Sequence, residues 1–88
     1  MQIKRSNTFI KNTEKIRDKL TRERLFKHIN KIILNPENSP FLTGGNLKGI
    51  RKVHMPPYRI LYKYDKQNNI LELLDFDKRD IIYKKSRR

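Results

Sequence analysis

Ile50-Arg51-Lys52-Val53-His54-Met55, Pro56-Pro57, Tyr58-Arg59-Ile60-Leu61-Tyr62-Lys63-Tyr64-Asp65, Lys66-Gln67-Asn68-Asn69 and Ile70-Leu71-Glu72-Leu73-Leu74-Asp75-Phe76-Asp77 follow one another without a break. The three longer pieces have a period near two, which suits strands, and the two short pieces are turn chemistry. Pro-Pro forces a reversal, and Lys-Gln-Asn-Asn supplies residues that tolerate tight turns. Consecutive strands joined this closely form an antiparallel meander.

Upstream, the period changes to that of a helix. Phe9, Thr13, Ile16 and Leu20 mark one face of a first helix starting at Thr8, with Ile10 beside it. Thr21 is a plausible N-cap for a second helix, in which Leu25, Ile29, Ile32 and Ile33 fall on one face before Asn35-Pro36 ends it. Residues 2–7 have the length of a short first strand, Pro36 to Pro40 form a loop, and Gly44-Gly45-Asn46 closes it. The expected fold is α+β in the order β-α-α-β-β-β. A two-helix hairpin packs on one face of a small antiparallel sheet, and the other face stays free for a ligand.

The chain has 88 residues, which fits one domain spanning 1–88 and excludes large enzyme architectures. Leu, Ile, Val and Phe number 25, enough for a small core despite a formal charge of +13. That charge is spread over both halves of the chain, so the folded surface itself is expected to be basic and to attract polyanions. Cysteine is absent, which removes disulfides, thiolate metal sites and cysteine nucleophiles. No apolar run approaches a membrane span, and no signal peptide is evident. The expected setting is cytoplasmic, with nucleic acid or an RNA-containing machine as partner and no membrane role.

The stretch Leu47-Lys48-Gly49 through Tyr58-Arg59-Ile60-Leu61-Tyr62 resembles the RelE/ParE toxin superfamily, whose members show Leu-x-Gly, a basic strand, a tight turn and Tyr-Arg-aliphatic-aliphatic-Tyr. The ending Lys78-Arg79-Asp80-Ile81-Ile82-Tyr83 looks like that family's closing His/Lys-Arg-x-x-x-Tyr, and Phe9 ahead of a helical pair also fits. The resemblance implies a RelE-like microbial ribonuclease fold that cleaves mRNA in the ribosomal A site. It also implies an acidic, RelB-like antitoxin that holds the toxin inactive.

Metal-free RNA cleavage needs a base for the 2′-OH, cations for the pentacovalent phosphorus and an acid for the departing 5′-oxygen. Paired carboxylates or histidines are scarce here, but clustered cations make a neutral lysine more reachable. No metal or other cofactor is called for. By resemblance Arg59 clamps the scissile phosphate, or else is an ordinary strand arginine. Arg79 does the same from the end of the last strand, or pairs with Asp75, Asp77 or Asp80. Lys52, across the hairpin, is a candidate base or phosphate ligand, although Ile50 stands where some members carry a second lysine. His54 shares the Lys52 face and is a candidate acid or RNA contact.

Lys78, placed where several members have histidine, would protonate the leaving oxygen or bind phosphate. Tyr83 corresponds to the family's terminal tyrosine; a phenol titrating near ~10 suits stacking better than unaided base work. Arg51 lies on the opposite face from Lys52 and is a candidate RNA contact. Lys84, Lys85, Arg87 and Arg88 form a basic tail over 84–88, and with Lys27 and Lys31 they would touch ribosomal RNA by charge alone. His28, between Leu25 and Ile29, reads as half-buried packing. The alternatives are a ParE-like inhibitor of DNA gyrase on the same fold and a basic nucleic-acid-binding module without catalysis. An inactive family remnant also fits the departures at Ile50 and Lys78.

Overall fold

The computed structural model describes residues 1–42 and 49–86, with the backbone alone for Arg79, Tyr83, Lys85 and Ser86. The expected loop closure at Gly44-Gly45-Asn46 lies outside the described residues, as do Arg87 and Arg88. The elements are β1 (Gln2–Arg5), α1 (Asn7–Glu14), α2 (Lys19–Leu34), β2 (Ile50–Met55), β3 (Tyr58–Asp65), β4 (Ile70–Lys78) and α3 (Arg79–Ser86). They build one four-stranded sheet in the order β1-β4-β3-β2. The meander β2-β3-β4 is antiparallel as expected. The expected first strand is also present as β1, but it joins the edge of β4 in parallel, so the sheet is mixed and not wholly antiparallel.

The helical segment is cut differently from the periodicity. Ser6 caps α1, accepting from the Phe9 N–H at 3.0 Å while its own hydroxyl donates to the Leu74 carbonyl at 2.6 Å. α1 ends at Glu14 and does not run on to Leu20, which is 67% exposed. The cap of α2 is Asp18, not Thr21. Thr21 sits three residues on and donates both its N–H (3.1 Å) and its hydroxyl (2.7 Å) to the Asp18 carboxylate. An acceptor at the N-cap satisfies an otherwise orphaned helix donor, and a carboxylate also suits the positive end of the helix dipole.

The main core lies between the helices and one sheet face. Phe9, Ile16, Leu25 and Ile32 meet Met55, Ile60, Tyr62, Leu71, Leu73 and Phe76 there. The strand alternation that feeds this core breaks once. Leu61 pairs with Asp75 and Tyr62 with Leu73, so Leu74 is an extra residue, a β-bulge. The Ser6 hydroxyl takes the Leu74 carbonyl, so the N-terminus of α1 is pinned at the bulge.

The opposite sheet face is not left free. Leu42, Leu61 and Ile82 form a second, smaller core on it, with Ile50 and Leu74 packed alongside. Ile82 belongs to α3, so the segment expected to be strand end and basic tail is a helix that docks through this residue. Among the described residues, no helix is long and apolar enough to cross a membrane.

Candidate active site beside the second sheet face

Strand register decides which charged side chains share a face. His54 is opposite Arg59, Arg59 is opposite Asp77, Lys52 is opposite Leu61, and Leu61 is opposite Asp75. Because side chains alternate along a strand, Lys52, His54, Arg59 and Asp77 project from the face away from α1 and α2. This is the arrangement expected for Lys52, His54 and Arg59. All three border one cleft of about 300 Å³, closed on its outer side by Asn38, Ser39 and Pro40.

Burial divides the three cations. His54 is exposed and Lys52 half-buried, while Arg59 is only 8% exposed. An enclosed guanidinium needs neighbouring acceptors to offset its desolvation, and Asp77 stands directly across from it in the sheet. Arg59 is therefore enclosed at the floor of the cleft and is not the ordinary exposed strand arginine that was the alternative to a phosphate clamp. Asp75, 8% exposed, accepts at its Oδ1 from the Asn12 amide of α1 at 3.1 Å.

The cleft wall is an adopted strand. Phe41 bridges to Arg51 in antiparallel fashion, the Lys52 N–H donates to Pro40 O at 3.0 Å, and the Leu42 N–H donates to Ile50 O at 2.7 Å. Arg51 holds this segment. Its Nη1 donates to Ser39 O at 2.6 Å and Glu37 O at 3.0 Å, and its guanidinium carbon lies 4.0 Å from the centre of the Phe41 ring. Arg51 is on the face opposite Lys52, as expected, and its Nη1 is engaged by the loop. The buried Tyr62 adds a second anchor by donating to Pro36 O at 2.8 Å.

Lys78 does not join the trio. It is opposite Tyr58 in register and borders a separate cleft on the helix side, with Asn12, Lys15, Tyr58 and Phe76. Arg79 opens α3 and does not end the last strand, and Tyr83 follows the docked Ile82 in the same helix; their side chains lie outside the description. Lys84 is exposed on α3, and Lys27 and Lys31 are exposed on α2. Lys31 borders a cavity of about 140 Å³ with the half-buried His28, whose Nδ1 is 2.8 Å from the Arg24 carbonyl. Among the described residues, no three His, Cys, Asp or Glu side chains come together as a metal-holding set.

The residues missed by the sequence reading are the wall, Asn38 to Pro40, and Asp77 opposite Arg59. Alternate spacing of Asp75 and Asp77 on a strand opposite Arg59 was the available signal for the latter. Two other carboxylates are held below their ordinary range, and both lie away from the cleft. Asp18 is held there by its bonds from Thr21, the hydroxyl first, and Asp65 by those from Asn68, the side-chain amide first.

Comparison with known proteins gives this geometry a context. The chain has the fold of the toxin in the intact RelBE toxin–antitoxin complex of Escherichia coli, with a TM-score of 0.74 at 15% identity over 88% of this chain and 94% of that one. The isolated E. coli RelE toxin matches with a TM-score of 0.72 at 19% identity, covering 96% and 92% of the two chains. YafQ from E. coli BL21(DE3) matches with a TM-score of 0.70 at 20% identity over 93% and 97%. No curated protein matches significantly in sequence. The family model for the ParE toxin of type II toxin–antitoxin systems matches residues 3–83, nearly the whole chain. On that match the chain belongs to the ParE toxin family, within the RelE/ParE superfamily.

Proposed function

We propose that this toxin is a ribosome-dependent, metal-independent mRNA endonuclease that arrests translation. The observation that carries the reading is the convergence of Lys52, His54 and Arg59 on one cleft of nucleotide scale. A phosphodiester entering it meets Lys52 and His54 first, above the enclosed charge of Arg59. In the reaction a 2′-OH loses its proton and its oxygen attacks the adjacent phosphorus. The bond to the 5′-oxygen then breaks, leaving a 2′,3′-cyclic phosphate and a 5′-hydroxyl. Imidazole both accepts and donates protons, so His54 is suited to either transfer. Lys52 offsets the charge that grows on the phosphorane oxygens.

The ribosome enters the proposal through charge. A net +13 on 88 residues, with Lys27, Lys31 and Lys84 exposed, favours sequence-blind contact with ribosomal RNA. The partner proposed to inhibit it is an acidic antitoxin, and similar folds are known in complex with theirs in E. coli and Mycobacterium tuberculosis.

Primer extension on an mRNA incubated with purified protein, with and without programmed ribosomes, tests the reading. Cuts at A-site positions only in the presence of ribosomes, lost in Lys52→Ala and His54→Ala, are expected. Cleavage of naked RNA would overturn the ribosome dependence. Intact message in every tube, with gyrase supercoiling inhibited instead, would replace the nuclease by a gyrase inhibitor.

A further inference from the structure

The helix-side cleft that holds Lys78 is separate from the one at Arg59 and has its own chemistry. It is about 280 Å³, at the lower end of small-ligand sites, which begin near ~300 Å³. Its floor is aromatic: the half-buried Tyr58 ring stacks on the buried Phe76 with centroids 4.6 Å apart and 23° between planes. Two exposed lysines border it, Lys15 from the end of α1 and Lys78 from the end of β4. Asn12 completes it. The Asn12 amide nitrogen is bound to Asp75, which orients the group and leaves its carbonyl oxygen as an acceptor.

An aromatic platform supported from below, two cations at the rim and an oriented amide make the composition of a nucleotide subsite. A base stacks on the ring, the lysines hold the flanking phosphates, and the amide oxygen accepts from a base amino group. We propose that this cleft binds one nucleotide of a single-stranded RNA whose neighbouring segment occupies the Arg59 cleft. The two clefts are linked through one cross-strand pair, since Asp77 borders this one and its partner Arg59 borders the other. A duplex would not enter a cavity of this size, so the occupant is a single strand. The inference rests on the proposed function for the identity of that strand.

The test uses the full chain and a fluorescein-labelled 2′-O-methyl RNA hexamer, which lacks the attacking hydroxyl and stays intact, with anisotropy read across a salt series. Lys15→Ala and Lys78→Ala are each expected to weaken binding several-fold and to lower the slope of log K against log salt by about 0.7. Tyr58→Leu should weaken it by about five- to a hundredfold, while Tyr58→Phe, which keeps the stacking surface, should bind as the wild type does. The salt slope is the readout that a merely structural role would not move. If Lys52→Ala weakens binding but Lys15→Ala and Lys78→Ala leave affinity and slope unchanged, the subsite is refuted and the proposed function stands. Should the reverse hold, the subsite stands and the Lys52 cleft loses its assignment. A wild-type protein that fails to bind the hexamer at any salt concentration would refute the subsite, while the ribosome-dependent reading stands or falls by primer extension.

Discussion

Replacing Arg51 with alanine removes the clamp on the 36–42 segment in one step. The side chain makes a 2.6 Å bond to Ser39 O, a 3.0 Å bond to Glu37 O and a face contact with Phe41 at 4.0 Å. A hydrogen bond from a charged donor contributes about 1.5–3 kcal/mol. The Ser39 bond is partly buried and takes most of that value; the Glu37 bond is exposed and takes little. A cation over an exposed ring adds about 0.5–1 kcal/mol. The expected loss is then about 2–3 kcal/mol, against a total stability of roughly 4–13 kcal/mol for a chain of this length. In a thermal melt followed by circular dichroism, that corresponds to a drop of about 8–20 °C. Hydrogen exchange should localise the damage, with faster exchange at the Leu42 and Lys52 amides that tie the segment to β2. Arg51→Lys keeps the charge but not the planar fork, and should recover less than half of the loss. A cost below about 0.5 kcal/mol, with exchange at Leu42 and Lys52 unchanged, would refute the clamp, since surface substitutions away from such features fall in that range.

Gly49 has φ +80°, and a Cβ there would meet only Lys63 Cε at an ordinary 3.6 Å, so Gly49→Ala should cost about 1 kcal/mol through backbone strain alone in urea denaturation. Tyr62→Phe removes the donor to Pro36 O from a fully buried ring and should cost about 1 kcal/mol by the same assay. Ile82→Ala empties the contact that docks α3 and should cost about 2–4 kcal/mol, with limited proteolysis cutting first after Lys84 or Lys85. Asp18 has its pKa lowered from 3.8 in the folded protein, so its contribution is present in full above that value and fades as the pH falls through the lowered one. The difference in melting temperature between wild type and Asp18→Ala should hold from pH 7 to 5 and shrink below about pH 4; a difference that persists unchanged to pH 2 would contradict the assignment.

Much of the sheet was legible because strand parity is a local property. Once Pro56-Pro57 fixes the hairpin, the positions of Lys52, His54 and Arg59 relative to one another follow, and so does the opposite orientation of Arg51. The shift at the bulge was also written in the chain, as Leu71 and Leu73 followed by Phe76 at a spacing of three. The parallel pairing of β1 was not legible: four exposed residues, Gln2 to Arg5, carry no pattern that distinguishes one sheet edge or direction from another. A break between two helices was legible but fell too late, because Ile16 keeps the helical spacing and is buried although it lies in the link. α3 escaped because it docks through Ile82 in a segment that otherwise reads as charged tail. The closing of the second face needed Leu42, Leu61 and Ile82 to meet from three distant parts of the chain, and no local window contains that information.

The enclosure of Arg59 changes how the cleft should be interrogated. A guanidinium 8% exposed and opposite Asp77 is held by the fold as much as it serves a ligand. Truncating a side chain this enclosed, opposite a carboxylate, is a destabilising change of about 0.5–3 kcal/mol. Against a total of roughly 4–13 kcal/mol, loss of activity in Arg59→Ala would not separate chemistry from unfolding. Lys52 and His54 border the same cleft while reaching solvent, so their truncation removes no comparably enclosed side chain. On the proposed function they are the positions to truncate first, with a folded but inactive protein as the expected outcome. Arg59 then contributes as a fixed positive floor. On the proposed function its charge, set opposite Asp77, is already positioned when the substrate arrives, so little reorganisation is needed as negative charge develops above it.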